Sequence, residues 1–469
     1  MYRYCTIFLF IFICLFTVPY FSIAQHHPEA AGNWNGSIQI GETDLSIRIL
    51  FQYSDGEIDG SIDIPEQNAY NLPVEVTKAD ELSISFQFET GTGPALFRGE
   101  WIVPFETMEG TFEQLGQRYP FYLKRMHRTN GRISELPETE LIIPTRGGQI
   151  SGSLVLSDDA SPLVILLTGS GSQDRDETVA GFRVFGLLSL QLYEQGISTF
   201  RYDDRGIGQS RGDADATLSE LAEDVADIAG YLRSNYSDFF SELILLGHSQ
   251  GGVVGSMAIN EIQADGMIFM ASPFLRGDKI INLQINLISE EMNVPEAVVE
   301  QNLEFQERIY EVARTGASWD DIEFDLKERL VQQLNQLPEQ QRNSLGDMSS
   351  FIQSQVDRQL STAKSRWFKS LIELDPANTV SSIAIPMLAI FGGKDMQVPL
   401  KENLEAAEEL GDKSGVNLSS VVIPDANHLF QKSNTGMPSE YGTLDRSFAD
   451  GFVQAITDWI QKISSSEKL

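Results

Sequence analysis

Cysteine is nearly absent from this chain: there are two in 469 residues, Cys5 and Cys14. Two thiols exclude a disulfide framework and a cysteine-rich zinc site. Basic residues are scarce as well, 34 Lys and Arg against 67 Asp and Glu, for a formal charge of −33. An excess of that sign repels nucleic-acid phosphates and anionic lipid, so neither is an expected partner. Beyond the N-terminus no apolar run is long enough to span a membrane. His-Glu-x-x-His and paired cysteines are missing too, and no metal or cofactor is expected. What is present, 42% hydrophobic and 10% aromatic residues, suits packed domains rather than a disordered chain.

Residues 1–24 have the order of an export signal. Arg3 precedes an apolar run from Ile7 to Phe16, followed by Pro19 and the small-residue stretch Ser22-Ile23-Ala24. Both cysteines lie inside this segment, so cleavage after Ala24 leaves a thiol-free protein with an extracytoplasmic address, periplasmic or secreted. A retained N-terminal anchor is the alternative. Ile13 before Cys14 does not fit lipoprotein processing. Cleavage removes Arg3 and no acid, so the mature chain is slightly more acidic still.

A small β domain is expected over residues 25–127: from about Asn33 to Lys124 apolar and polar positions alternate, as in Leu45-Ile47-Ile49-Phe51 and Leu82-Ile84-Phe86-Phe88. Period two with turn residues between runs predicts half-buried antiparallel strands in a small barrel or sandwich. Gly36-Ser37-Ile38, Gly60-Ser61-Ile62 and Gly110-Thr111-Phe112 repeat a small signature, expected to open strands at a tight approach. No chemistry is visible in this domain; it is a shield, a spacer or a binding surface. A polar linker is expected over 128–139.

From residue 140 the rhythm changes. Leu163–Leu167, Ile197–Tyr202, Leu243–Leu246, Met267–Met270, Met387–Phe391 and Ser420–Ile423 are continuous apolar runs separated by helix-like segments. Such runs predict a mostly parallel sheet covered on both faces, an α/β architecture. It divides into a first part, 140–272, and a second, 383–469. The interval 273–382 lacks strand signals and has helix starts at Val294-Pro295-Glu296 and Trp319-Asp320-Asp321, which predicts a helical lid.

One pentapeptide carries the chemistry. Gly247-His248-Ser249-Gln250-Gly251 stands between a strand and a helix-like stretch. A sharp strand-to-helix turn lifts a serine clear of the sheet and sets a helix N-terminus beneath developing negative charge. Its strain demands small neighbours, which Gly247 and Gly251 supply. The pattern alone is weak, and a second copy, Gly208-Gln209-Ser210-Arg211-Gly212, lacks both flanking elements. Ser249 is the expected nucleophile. Of five histidines, His26, His27 and His127 belong to the N-terminal region, and His248 adjoins the nucleophile and is read as packing. That leaves His428, in the loop after Ile423, as the base. Asp395, after the strand Met387–Phe391, is the expected orienting carboxylate, with Asp425 as the rival. The order Ser249, Asp395, His428 suits this type of sheet. The oxyanion needs two backbone donors: the Gln250 amide, and one from the loop Thr168-Gly169-Ser170-Gly171, where Ser170 is the choice and Gly171 the alternative. The segment Arg201–Ser210 is expected to brace these loops through ion pairs of its own.

Four matches together give a resemblance: Thr168-Gly169-Ser170-Gly171 with Gln173-Asp174-Arg175-Asp176; Asp203-Asp204-Arg205-Gly206; Gly247–Gly251; and Gly393-Lys394-Asp395 with Asn427-His428. From about Glu140 to Ile463 the chain resembles the α/β-hydrolase superfamily, in its serine-aminopeptidase-like and esterase branch. The resemblance implies an eight-stranded core, a helical lid between the sixth and seventh strands, and a small-molecule ester as substrate. Peptides and thioesters are the alternative substrates, and a non-catalytic binding protein is the alternative class. A His-Gly oxyanion loop common in the superfamily is here Thr168-Gly169. The N-terminal β domain resembles those preceding some exported hydrolases. Oligomeric state is not encoded in these motifs.

Overall fold

The computed structural model describes residues 27–466, apart from 41–42, 55–56, 65–66, 68, 81, 91–92, 106, 126–129, 158–160 and 336–346. The signal-like segment, its two cysteines, His26 and His127 lie outside the described residues.

The alternating region forms eight strands: β1 (Gly32–Ile40), β2 (Thr43–Ser54), β3 (Glu57–Ile64), β4 (Ala69–Ala79), β5 (Ser83–Thr90), β6 (Gly93–Val103), β7 (Thr107–Gln114) and β8 (Gln117–Arg125). Each pairs antiparallel with the next, and β1 pairs with β8, so the sheet closes as a barrel rather than a sandwich. Closure removes the open sheet edges that would invite association. One residue in two faces inward. Trp34, Phe51, Phe86, Phe97 and Phe121 are buried there, with Phe86 and Phe97 stacked at 4.5 Å. At about 1.5–3 kcal/mol per buried large apolar side chain, these residues fill the barrel as its core.

The three glycine signatures lie inside strands instead of opening them. Gly36, Gly60 and Gly110 sit mid-strand, where a Cβ would overlap the carbonyls of Tyr122, Leu50 and Arg98 respectively. The tight approach is real, but it is an approach between paired backbones within the barrel wall.

The stretch expected as a polar linker is not a free tether. It carries a 3-10 turn at Asn130–Glu135, and Ile133 and Leu136 are buried in the core of the second region.

That region is built on β9 (Glu138–Thr145), β10 (Gly148–Val155), β11 (Ser161–Leu167), β12 (Ser198–Tyr202), β13 (Phe240–His248), β14 (Gly266–Met270), β15 (Met387–Gly392) and β16 (Leu418–Ile423). The order across the sheet is β9, β10, β12, β11, β13, β14, β15, β16, parallel from β12 onward and antiparallel over the first three. Helices α1 (Val184–Tyr193), α2 (Leu218–Tyr236) and α3 (Gln250–Ala258) lie in the first half of this region. One face of the sheet is covered by α2 and α3 through Val225, Ile228 and Val254; the other is covered by α1 and the helix Phe452–Ser466 through Phe185, Leu188, Phe452 and Ile456. A capping box fixes the start of α2: the Thr217 hydroxyl accepts from Glu220 N–H, and the Glu220 carboxylate accepts from Thr217 N–H. After β11 the chain moves to one side of the sheet, to β12, and then crosses to the other, to β13. That reversal opens a crevice at the C-terminal ends of β11 and β13, where ligands of such sheets bind.

Between β14 and β15 the described residues form six helices: α4 (Gly277–Glu291), α5 (Glu296–Thr315), α6 (Asp320–Asn335), α7 (Met348–Ala363), α8 (Arg366–Glu373) and α9 (Pro376–Val380). α5 and α6 begin at or beside their sequence signals. Phe305, Ile322, Leu326, Leu330, Val356 and Leu360 give this insertion a small core of its own.

The barrel meets the second region at a polar joint. Arg446 Nη2 donates to Asp63 Oδ2 on β3 at 2.7 Å, and Arg48 Nη2 on β2 donates to the Leu444 carbonyl at 2.9 Å. Gly181, in the turn of a short hairpin (Thr178–Val179 with Phe182–Arg183), leaves room for that pair, since a Cβ there would strike both Arg446 and Asp63.

Candidate active site

Ser249 follows the buried strand β13 and precedes α3, with φ 51° and ψ −120°. A left-handed conformation strains any residue with a Cβ, and the chain here forces it by packing. A Cβ on Gly247 would overlap the backbone of Gly251 and Gly252, and one on Gly251 would overlap the carbonyls of Leu167 and Thr168. Ser249 N–H donates to the Met270 carbonyl at 2.8 Å, which ties the turn to β14. Gln250 is the first residue of α3, so its N–H has no acceptor within the helix. The Gln250 side chain is buried and accepts from Trp367 Nε1 of α8 at 2.7 Å. Trp367 thus anchors the insertion to the residue after Ser249.

His428 and Asp395 lie on the loops after β16 and β15, both buried. His428 Nδ1 meets Asp395 Oδ2 at 2.8 Å. The other oxygen, Asp395 Oδ1, accepts Gln397 N–H at 2.7 Å and Val398 N–H at 2.9 Å, which fixes the carboxylate plane. The rival Asp425 is solvent-exposed and pairs with Lys394 at 3.3 Å, away from the imidazole. Asn427 shapes the histidine loop, its Oδ1 accepting Leu429 N–H and Gln431 N–H at 3.0 and 2.9 Å.

The loop after β11 approaches the same point. A Cβ on Gly169 would stand 3.5 Å from Ser249 Cβ. Gly169 N–H is committed to Glu177 Oε1 at 2.7 Å. Ser170 is exposed, and its carbonyl accepts from Gln173 Nε2 at 3.2 Å.

The brace expected from Arg201–Ser210 is present, but its ion pairs run outward to neighbouring elements rather than within the segment. Asp203 pairs with Arg175 at 2.7 Å, Arg205 with Asp224 at 2.6 Å, and Arg201 with Asp176 and Glu138. Asp204 accepts the Thr168 hydroxyl at 2.9 Å and Gln173 N–H at 2.8 Å, holding both ends of the β11 loop. Burial pushes the Asp204 carboxyl up to about 7, with the neighbouring Glu177 and Asp203 charges adding to the shift. Ser210, from the second Gly-x-Ser-x-Gly copy, is a structural link: its hydroxyl donates to the Asp203 carbonyl and accepts Ser151 N–H, at 2.7 and 2.8 Å.

Two residues escaped the sequence reading. His248 is held in a network rather than simply packed: Nδ1 meets Glu177 Oε1 at 2.7 Å and Nε2 meets the His428 carbonyl at 2.9 Å. Burial opposes charge on this ring, but the Glu177 carboxylate prevails and raises its pKa above the ordinary histidine value. The only sequence signal for Glu177 is its place at the end of the run Asp174-Arg175-Asp176-Glu177. Among the described residues, no group of three or more His, Cys, Asp or Glu is placed to hold a metal ion, and no helix is long and apolar enough to cross a membrane.

The family profile described as serine aminopeptidase, S33, matches residues 183–430, from the hairpin before α1 to the histidine loop. The chain belongs to that family. As a member of the serine aminopeptidase, S33, family it has the α/β-hydrolase fold, preceded by the eight-stranded barrel. Over 306 residues it is 26% identical to the esterase EstD of Thermotoga maritima, a match covering 64% of this chain and 62% of that protein. The chain thus spans less than two thirds of that relative's length. Among solved structures it is similar to an esterase of Pyrococcus furiosus (16% identity, TM-score 0.43, 72% of this chain and 94% of that one). It is also similar to a thermophilic esterase of Thermogutta terrifontis (18% identity, TM-score 0.39, 69% and 99%).

Proposed function

We propose that this protein hydrolyses a carboxylic ester through an acyl-enzyme on Ser249. The observation that carries the reading is the buried His428–Asp395 pair, bonded at 2.8 Å, on the two loops beside a serine held at φ 51°. Asp395 accepts from His428 Nδ1–H, which leaves Nε2 unprotonated and able to act as base. Ser249 Oγ attacks the ester carbonyl carbon, and its proton passes to His428 Nε2. The carbonyl oxygen takes the negative charge and is stabilised by the Gln250 N–H at the start of α3 and by Ser170 N–H. Because Gly169 N–H is engaged by Glu177, Ser170 is the next amide available on that loop. Collapse breaks the ester C–O bond, and the alcohol leaves with the proton from His428. Water then repeats the sequence on the acyl-serine and releases the acid.

The 26% identity to the esterase of Thermotoga maritima favours an ester over a peptide. The insertion serves as a lid, reaching the elbow through Trp367. The acidic surface disfavours anionic substrates at long range. Export by way of residues 1–24 belongs to the same proposal. Turnover of p-nitrophenyl esters of graded chain length, beside aminoacyl-p-nitroanilides, tests it. Ester turnover is expected and should vanish in S249A. Ester turnover surviving in S249A would sink the mechanism, whereas anilide without ester turnover would make the protein a peptidase.

A further inference from the structure

The reaction proposed above uses one of two imidazoles that lie together, their ring centroids 4.6 Å apart. The other, His248, is buried and faces two oxygens. The His428 carbonyl can only accept, so His248 Nε2 carries hydrogen. The second nitrogen shares a proton with Glu177 Oε1 at 2.7 Å, and that same oxygen accepts Gly169 N–H at 2.7 Å. Two donors converging on one oxygen favour a carboxylate there, and the ring then holds both protons. The charged and titratable groups facing this ring are Glu177, Asp395 and His428. Glu177 is almost wholly buried and takes φ 49°, a conformation that a glutamate adopts only under compulsion.

We propose that Glu177 and His248 form a carboxylate–imidazolium pair of positioning residues that fixes both loops flanking Ser249. Through Gly169 N–H the pair orients the amide of Ser170, and through the His428 carbonyl it sets the depth of the base. The pair connects three separate parts of the chain: the end of the β11 loop, the last residue of β13 and the loop after β16. This assignment rests on the acyl-enzyme reading. It gives the pair no contact with substrate.

The test combines kinetics on a p-nitrophenyl ester with NMR of the full protein labelled with 15N-histidine. E177Q keeps the size of the side chain and an acceptor for Gly169 N–H but loses the charge. A displacement of reacting groups on the order of 1 Å costs about 100-fold, so kcat in E177Q is expected to fall about 10- to 100-fold. KM should stay within about threefold, because substrate contacts are untouched. In the wild-type spectrum one histidine should show both ring nitrogens protonated at pH 8, and that signal should vanish in E177Q. An E177Q enzyme within twofold of wild-type kcat, or a wild-type His248 with one bare nitrogen at pH 8, would overturn the pair while leaving the Ser249 mechanism standing. If E177Q does not fold, the wild-type spectrum alone decides. Ester turnover persisting in S249A would instead remove the reading on which the pair rests.

Discussion

Replacing Asp395 by asparagine probes the proposed base at a single atom. Asp395 Oδ1 accepts two backbone amides, from Gln397 and Val398, and Oδ2 faces His428 Nδ1 at 2.8 Å. An asparagine has one acceptor oxygen. The two amides claim it, because turning the NH2 group toward them would set donor against donor twice in a buried site. The NH2 is then directed at His428 Nδ1, which must accept, and the ring proton moves to Nε2. A base with its working nitrogen already protonated cannot take the Ser249 proton. Loss of the correct tautomer in such a site costs on the order of 10⁴ in kcat, or about 5 kcal/mol in the barrier. The same geometry predicts little change in KM, and folding stability lowered by no more than about 1–2 kcal/mol, since the shape and both amide bonds are kept. Steady-state kinetics of D395N on a p-nitrophenyl ester, with urea unfolding as the control, measures both. A D395N enzyme within tenfold of wild-type kcat would refute the assignment of His428 and Asp395 as a working pair.

Two further outcomes follow from other parts of the site. W367F removes the indole N–H that donates to Gln250 at 2.7 Å while keeping an aromatic ring; stability should drop by about 1 kcal/mol, and kcat should fall a few-fold, whereas unchanged kinetics would reduce Trp367 to packing. Asp204 has a folded pKa of about 7 against an ordinary 3.8, so the folded state holds a proton that the unfolded chain releases. Its contribution is full below about pH 4 and is lost as pH rises through 7. Urea unfolding at pH 4.5 and 7.5 should therefore show the stability of wild type relative to D204N falling by about 1–4 kcal/mol on raising the pH, at about 1.4 kcal/mol per pKa unit. A flat difference would show that Asp204 titrates normally.

Much of this arrangement is legible in the sequence because its causes are local. The elbow is encoded by glycines at fixed spacing, and the parallel strands are encoded by apolar runs that only full burial explains. The alternation of residues 33–124 specifies strands, but whether they close into a barrel depends on the pairing of β1 with β8, more than eighty residues apart, and no local pattern records that pairing. For the same reason the mid-strand glycines look like strand openings until the carbonyl opposite each is known. Glu177 was hidden differently. It sits in an acidic run in which Arg175 and Asp176 form ion pairs, and its importance comes from His248, 71 positions away. His248 in turn looks idle beside Ser249 until the His428 carbonyl, 180 positions further on, is seen to accept from it.

The joint between barrel and hydrolase has a consequence for the chain's ancestry and for anyone cutting it. Asp63 and Arg446 meet across 383 positions, and Gly181 must stay bare for them to do so. Gly181 turns the hairpin whose first strand directly follows Glu177. An enzyme trimmed at the visible change of sequence texture would leave the Arg446 guanidinium without its counter-charge beside that hairpin. Transplanting a different barrel would require the same acid at the same height on its third strand. The two halves are therefore not free to drift separately: a change at Asp63, Gly181 or Arg446 has to be answered at the other two.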